Sequence, residues 1–197
     1  MTGTIEITLL QEHDFRRAAE IYCEAFERKI RLIRPSKERG ISLFEKIINW
    51  NNAICAMENE ECVGIAGLQH GNESFITPTP RAFIQTVGLL RGLLGYVAFR
   101  MMGQTITDGE LRIESLAVLS SCRGKGIGSL LLAEVNKNAQ KEGYKTISLE
   151  VVDTNQDARR LYERNGYSEE KTTHYPFLKH LAGFSAVTLM KKQLLLV

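Results

Sequence analysis

Residues 122–128 read Cys-Arg-Gly-Lys-Gly-Ile-Gly and join a predicted strand to a predicted helix. Glycines have no Cβ, so successive backbone N–H groups can converge on one point. The first turn of the following helix adds unpaired N–H groups and the positive end of the helix dipole. With the charges of Arg123 and Lys125, the segment predicts a site for a phosphate or diphosphate, and a turn that binds nothing is the simpler alternative.

Two common phosphate-binding motifs do not fit this loop. A Walker loop requires G-x-x-x-x-G-K-[ST], which the chain lacks. A dinucleotide fingerprint requires G-x-G-x-x-G, and Gly124 and Gly126 supply its first two positions, but Ser129 stands at the third. The loop also leaves too little sequence after it for a doubly wound domain. A nucleotide-dependent enzyme is therefore an alternative that these motifs speak against.

Two patterns together are similar to the motifs of the GNAT superfamily of acetyl-CoA-dependent N-acetyltransferases. The first is an apolar-x-Val strand end followed by R/Q-x-x-G-x-G/A, here Leu116-Ala117-Val118 and then Arg123-Gly124-Lys125-Gly126-Ile127-Gly128. The second is N-x-x-A-x-x-L-Y-x-x-x-G-[FY], here Asn155, Ala158, Leu161, Tyr162, Gly166 and Tyr167. The clear match covers about residues 111–167, with Ser120-Ser121 in place of the Pro that usually follows the strand.

The resemblance implies a coenzyme site with acetyl-CoA as co-substrate and no metal. In the family, the strand before the loop carries a bulge and splays from the next strand, and the gap receives the pantetheine arm. The implied contacts are Leu116, Ala117 and Val118 for the pantetheine amides, and Arg123, Gly124, Lys125, Gly126, Ile127, Gly128 and Ser129 for the diphosphate. Asn155, Ala158 and Tyr162 complete the set, with Asn155 near the thioester.

An acetyl thioester is already activated, so the protein must orient an amine, remove its proton, support the oxyanion and protonate the leaving thiolate. The resemblance implies that a backbone N–H near Val118 supports the oxyanion and that Tyr162 is the general acid. Tyr162 also follows Ala158 by four residues on the apolar helix face, so a packing role is the alternative.

Two carboxylates compete for the role of general base. Ile147, Leu149 and Val151 share one face of their predicted strand, so Glu150 points to the other face. The Leu-Glu-Val sequence with Asn155 and Tyr162 resembles bacterial acetyltransferases that act on a protein N-terminal amine, in which the matching Glu is the base. Glu114 on the neighbouring strand is the rival, and either could be a solvated carboxylate or act through water.

The composition fits a single soluble domain over residues 1–197, predicted to be cytoplasmic. Its net charge of +2 is too small to indicate nucleic acid, and the four cysteines form no C-x-x-C pair. The apolar stretch 82–102 is long enough to span a bilayer, but Arg91 lies at its centre, where an arginine costs about 2.5–3.5 kcal/mol. We therefore expect no membrane span.

The predicted elements give an α/β fold with a mixed sheet and helices on both faces, as the family resemblance also implies. Their order is strand, two helices, three strands with an inserted helix, helix, strand, helix and two strands. In the family fold, the sheet is mostly antiparallel with one splayed parallel pair. A single helix over 82–102 is predicted within an insertion at about 71–109, serving as extra core, as a lid over the acceptor cleft, or as a homodimer contact.

Three classes of function follow from these patterns. The first is an enzyme that transfers acetyl to a small-molecule or peptide amine by direct attack in a ternary complex. The second is a non-catalytic domain that binds or senses acyl-CoA, which would keep the loop but need neither Tyr162 nor a carboxylate. The third is the nucleotide-dependent enzyme. The sequence does not identify the acceptor amine.

Overall fold

The sheet has seven strands in the order β1-β2-β3-β4-β5-β7-β6. The computed structural model describes residues 4–26, 36–101, 106–176, 179 and 183–194. The strands are β1 Ile5–Leu9, β2 Ala53–Glu58, β3 Glu61–His70, β4 Glu110–Val118, β5 Thr146–Val152, β6 Ser168–His174 and β7 Ala186–Gln193. Among these strands, only β4 and β5 pair in parallel; the other neighbours are antiparallel. The predicted mixed sheet is confirmed.

Helices cover both faces of this sheet. The described helices are α1 Phe15–Ala25, α2 Lys37–Ile47, α3 Pro80–Val87, α4 Leu89–Met101, α5 Ile127–Lys141 and α6 Gln156–Arg164. On one face, Tyr22 of α1 and Phe44 of α2 pack into a core with Ile65 of β3. On the other face, Leu131 of α5 belongs to a second core with Leu149 of β5. The sheet therefore separates two apolar cores.

A bulge in β4 opens the sheet. Ser115 pairs with Gly67 and Ile113 with Leu68, so Glu114 is an extra residue on β4. An extra residue reverses which face the following side chains occupy and bends the strand. The parallel pairing of β4 with β5 ends at Ile113 and Leu149, although β4 continues to Val118. The two strands therefore separate beyond this point, and their facing edges form a gap.

The inserted segment contains two helices instead of the predicted single one. The break is at Gly88, whose φ of +85° is a conformation that other residues rarely adopt. Pro80 begins α3 after Thr79, whose hydroxyl accepts from the Ala82 amide at 3.3 Å. A Cβ at Gly92 would lie 2.6 Å from the Ile84 Cα, so α4 packs closely on α3. The absence of a side chain at Gly92 thus allows α4 to fold back against α3.

The two helices of the insertion contribute differently to the core. Phe83 of α3 is fully buried, whereas α4 exposes a row of apolar side chains: Leu89 67%, Leu90 75%, Leu93 43%, Leu94 65% and Val97 50%. The core interpretation is therefore wrong for this face of α4, and the lid and homodimer interpretations stay predictions. Among the described residues, no helix is long and apolar enough to cross a membrane.

The sequence pattern predicts helix caps at Asp14 and at Asp153 or Thr154, and a second helix that stops near Asn51 and Asn52, but these ends shift in the structure. Asp14 is the last residue of a 3₁₀ turn directly before α1, and its side chain makes no capping hydrogen bond. The second helix ends at Ile47, and a 3₁₀ turn over Trp50–Asn52 follows. Asn155, and neither Asp153 nor Thr154, caps α6. The predicted end of the first helix near Arg28, the break at Pro35 and the helix end at Met102 lie outside the described residues.

Candidate active site

A cleft of 470 Å³ occupies the gap between β4 and β5. Seven predicted site residues line it: Glu114, Leu116, Arg123, Glu150, Asn155, Ala158 and Tyr162. Ala117, Val118, Lys125, the three loop glycines, Ile127 and Ser129 are outside this lining set. The structure thus brings both candidate bases, the candidate acid and the helix cap of α6 around one cavity.

The glycine loop presents its amides at the start of α5. Gly124 and Gly126 both have φ of +81°, a left-handed conformation that glycine adopts without strain. Among the described residues, the amides of residues 124–128 donate no turn, loop or cap hydrogen bond to the backbone. A Cβ at Gly128 would lie 2.9 Å from Leu161 Cδ2, so the helix start is packed against α6. Free amides in this geometry suit a diphosphate.

The charged and polar side chains of the loop have partners within the protein. Lys125 Nζ lies 2.8 Å from both carboxylate oxygens of Glu58, which raises the pKa of Lys125. Arg123 Nε donates to the Val118 carbonyl at 3.3 Å. The Ser129 amide donates to the Gly126 carbonyl at 3.0 Å, and its hydroxyl accepts from Asn165 at 3.2 Å. The backbone, more than these side chains, is therefore the available anion-binding part of the loop.

Tyr162 combines burial with an unbonded hydroxyl. Its side chain is 7% exposed and lines the cleft, and burial raises its pKa to about 12. In the described part of the chain its hydroxyl makes no hydrogen bond, and its ring packs edge-on to Tyr167 at 6.1 Å. Asn155 Oδ1 accepts from the Ala158 amide at 3.2 Å and so fixes the start of its helix. Tyr162 therefore carries a proton that it can donate into the cleft.

Glu114 binds the inserted segment. Its carboxylate accepts from Ser74 Oγ at 2.5 Å, from the Phe75 amide at 2.7 Å and from the Ile76 amide at 3.2 Å. Three donors occupy most of the acceptor positions of this carboxylate. Phe75 in turn packs where a Cβ of Gly67 would stand. The bulge residue thus anchors residues 74–76 to the sheet.

Glu150 makes a different contact. Its Oε1 lies 2.9 Å from Nη2 of Arg112, a β4 residue that also lines the cleft. The Arg112 side chain is 8% exposed and that of Glu150 is 29% exposed. Arg112 is not among the predicted site residues, and its signal in the sequence is its place between Glu110 and Glu114 in a largely apolar strand.

A third carboxylate, also missed, lines the cleft beside the loop. Glu24 of α1 accepts from the Ser120 amide at 3.0 Å, and hydrogen bonding by the hydroxyl and the amide of Ser120 lowers the pKa of Glu24. It therefore ties α1 to the end of β4.

Among the described residues, no group of three His, Cys, Asp or Glu side chains is placed to hold a metal ion.

The bulge in β4 and its separation from the parallel neighbour β5 agree with the fold that the resemblance to GNAT acetyltransferases implies. The model of the acetyltransferase (GNAT) family matches residues 87–167 of this chain.

Three known proteins show the extent of this similarity. The [ribosomal protein bS18]-alanine N-acetyltransferase of Haemophilus influenzae is 36% identical over 75 residues, 37% of this chain and 50% of that protein. The aminoalkylphosphonate N-acetyltransferase of Salmonella typhimurium is 39% identical over 69 residues, 35% of this chain and 43% of that protein.

The third similarity is structural. An N-acetyltransferase from Staphylococcus aureus Mu50 superposes with a TM-score of 0.70 at 16% identity, covering 94% of this chain and 99% of that one, which shows a shared fold. By sequence, the chain spans about half the length of the relatives it matches.

Proposed function

We propose that this protein transfers an acetyl group from acetyl-CoA to a primary amine by direct attack in a ternary complex. The observation that carries the proposal is the 470 Å³ cleft in the β4–β5 gap, whose lining includes Arg123 of the glycine loop and Tyr162 with its unbonded hydroxyl. A non-catalytic acyl-CoA-binding domain would need the loop but not the buried tyrosine.

The coenzyme fits the part of the cleft beside the loop. Amides of residues 124–128 would hold the diphosphate, with Arg123 close by. Leu116, Ala117 and Val118 pair with β3 on one side only, so their other edge offers backbone groups to the pantetheine amides, as an absent strand would. The bound coenzyme supplies an acetyl thioester, which is already activated for attack by an amine.

The chain's own residues handle the protons. Glu150 would take the proton of the acceptor ammonium, directly or through water, because its carboxylate is only partly buried and one oxygen lies outside the Arg112 contact. Tyr162 would deliver its hydroxyl proton to the leaving thiolate, since burial keeps it protonated, and would regain a proton that the acylated nitrogen releases. A backbone N–H on the free edge of β4, near Val118, would support the oxyanion.

The relatives support an amine acceptor without deciding its size. By its name, the H. influenzae protein acts on an alanine of a ribosomal protein, and the S. typhimurium protein acts on aminoalkylphosphonates. Peptide N-termini and small amino acids or their analogues are therefore the first acceptors to try with this chain.

Two measurements test the proposal. Calorimetry with acetyl-CoA, ATP and NAD should show heat for acetyl-CoA alone. Release of free thiol should then be measured over a panel of peptides, amino acids, polyamines and aminoglycosides. Binding of acetyl-CoA with no turnover on any amine would favour the non-catalytic alternative, and the absence of binding would remove both.

A further inference from the structure

The guanidinium of Arg112 is a buried cation beside the candidate base. Its side chain is 8% exposed and borders the cleft. Burying a charge is costly unless it is paired and its donors are satisfied. The contacts of its five N–H donors therefore indicate what the cleft is built to bind.

Arg112 has more donors than partners. In the described part of the chain, its one polar contact is the 2.9 Å approach of Nη2 to Glu150 Oε1. The side-chain nitrogens of Arg112 that lack a partner are not fully buried. These donors therefore reach the solvent of the cleft. Glu150 balances the charge of Arg112 but leaves most of its hydrogen-bonding capacity open.

The neighbouring charges do not satisfy these donors. Glu110, also on β4, accepts from Ser148 Oγ and from Lys191 Nζ at 3.1 Å. Glu114 accepts from the three donors of residues 74–76, and Glu24 accepts from the Ser120 amide. Arg112 and Glu150 thus place one open cationic and one open anionic group side by side in the cleft lining.

We propose that the acceptor is a zwitterion, with a carboxylate or phosphonate group near its amine. Arg112 binds this anionic group, and Glu150 holds the ammonium before taking its proton. The four charges then alternate in sign, so that each neighbouring pair attracts. A guanidinium fork suits carboxylate and phosphonate oxygens equally well. This inference rests on the acetyl transfer proposed above and names its substrate class.

Matched acceptors test the proposal on the unmodified protein. Glycine, aminomethylphosphonate and glycinamide present the same primary amine with a carboxylate, a phosphonate or no charge. After correction for the different amine pKa values, kcat/KM for the better anionic acceptor should exceed that for glycinamide by about 10- to 100-fold, the usual effect of a hydrogen bond to a charged group. The ratio of glycine to aminomethylphosphonate distinguishes the two anions.

Substitutions then assign the preference to one side chain. Arg112→Met should remove the anionic preference, so that the kcat/KM ratio of the better anionic acceptor to glycinamide falls to about 1, and Arg112→Lys should restore part of it. Arg81→Met is the matched control, because Arg81 is an exposed cation away from the cleft. Thermal melting and calorimetry with acetyl-CoA show that each variant is folded and binds the donor.

The outcomes separate this inference from the proposed function. Equal or faster turnover of glycinamide or peptide amines by the unmodified protein would overturn the zwitterionic acceptor and leave acetyl transfer standing. A preference that survives in Arg112→Met would also overturn it. If Arg112→Met does not fold, the matched acceptors and Arg112→Lys still decide. No thiol release with any amine would instead remove the proposed function.

Discussion

Tyr162 is the residue whose environment most directly predicts a chemical role. Its pKa of about 12 keeps the hydroxyl protonated throughout the usual assay range. Tyr162→Phe should therefore lower kcat by about 10²- to 10⁴-fold, the usual contribution of general acid catalysis, while the dissociation constant of acetyl-CoA changes little. Steady-state kinetics and calorimetry measure both.

The same pKa gives a pH prediction. A raised pKa means that the neutral form is favoured in the folded protein, so the proton of Tyr162 is lost only as the pH passes through about 12. The kcat profile should thus show no alkaline decline from this group below about pH 10. An unchanged kcat in Tyr162→Phe would leave the tyrosine as a packing residue.

The two candidate bases should respond differently to removal of their charge. Glu150→Gln should reduce kcat/KM strongly with little loss of stability, because Glu150 is partly exposed in the cleft. Glu114→Gln should cost about 1–3 kcal/mol of stability, since an amide cannot accept the three donors of residues 74–76 as a carboxylate does. Urea denaturation and initial rates, measured on both variants, separate the roles; the reverse pattern would make Glu114 the base.

Residue types identified part of this site. The glycine spacing and the positions of Asn155 and Tyr162 follow from the sequence because they belong to one loop and one helix. Arg112 does not, because an arginine in a strand is usually read as a solvated side chain. Its burial depends on how far β4 and β5 separate, which is a tertiary property.

At the scale of elements, the glycine loop can be tested with an internal control. Gly126 and Gly143 have nearly equal φ values of +81° and +80°, and at neither residue does any atom lie within 4 Å of the position that a Cβ would take. Alanine at either position should cost about 1 kcal/mol of stability. Only Gly126→Ala should also weaken acetyl-CoA binding, because Gly143 follows the far end of α5.

Calorimetry on the two alanine variants checks this prediction. Equal losses of affinity would show that backbone strain alone, and not the amide arrangement of residues 124–128, governs binding. Denaturation curves provide the common stability reference.

The elements were predictable where local signals were strong. Apolar runs bounded by turn residues, with period-3.6 patterns for the helices, predicted all seven strands and most helices. The break at Gly88 was missed because a glycine within a helical pattern is usually tolerated. The break depends on the close contact of Gly92 with Ile84, which forms only when the two helices pack against each other.

At the scale of the whole molecule, the inserted helices should differ sharply in their contribution to stability. Phe83→Ala should cost about 3–5 kcal/mol, because Phe83 is fully buried in the core beside α1 and α2. Leu90→Ala should change stability by no more than about 0.5 kcal/mol, since Leu90 is 75% exposed. Urea denaturation of the two variants measures the contrast, and a large loss in Leu90→Ala would show that its side chain is covered in solution.

The β4–β5 gap limits the number of backbone pairs that join the two halves of the sheet. Within the described sheet, the ladder that joins β1–β4 to β5–β7 has four residue pairs, from Glu110–Thr146 to Ile113–Leu149. A pantetheine arm seated along the open edges would act as a bridging strand between these halves. Acetyl-CoA at about 100 times its dissociation constant should add about 2.7 kcal/mol to the free energy of unfolding. Hydrogen exchange of the backbone amides should slow most along those edges. The donor substrate would then stabilise the same sheet whose gap forms its binding site.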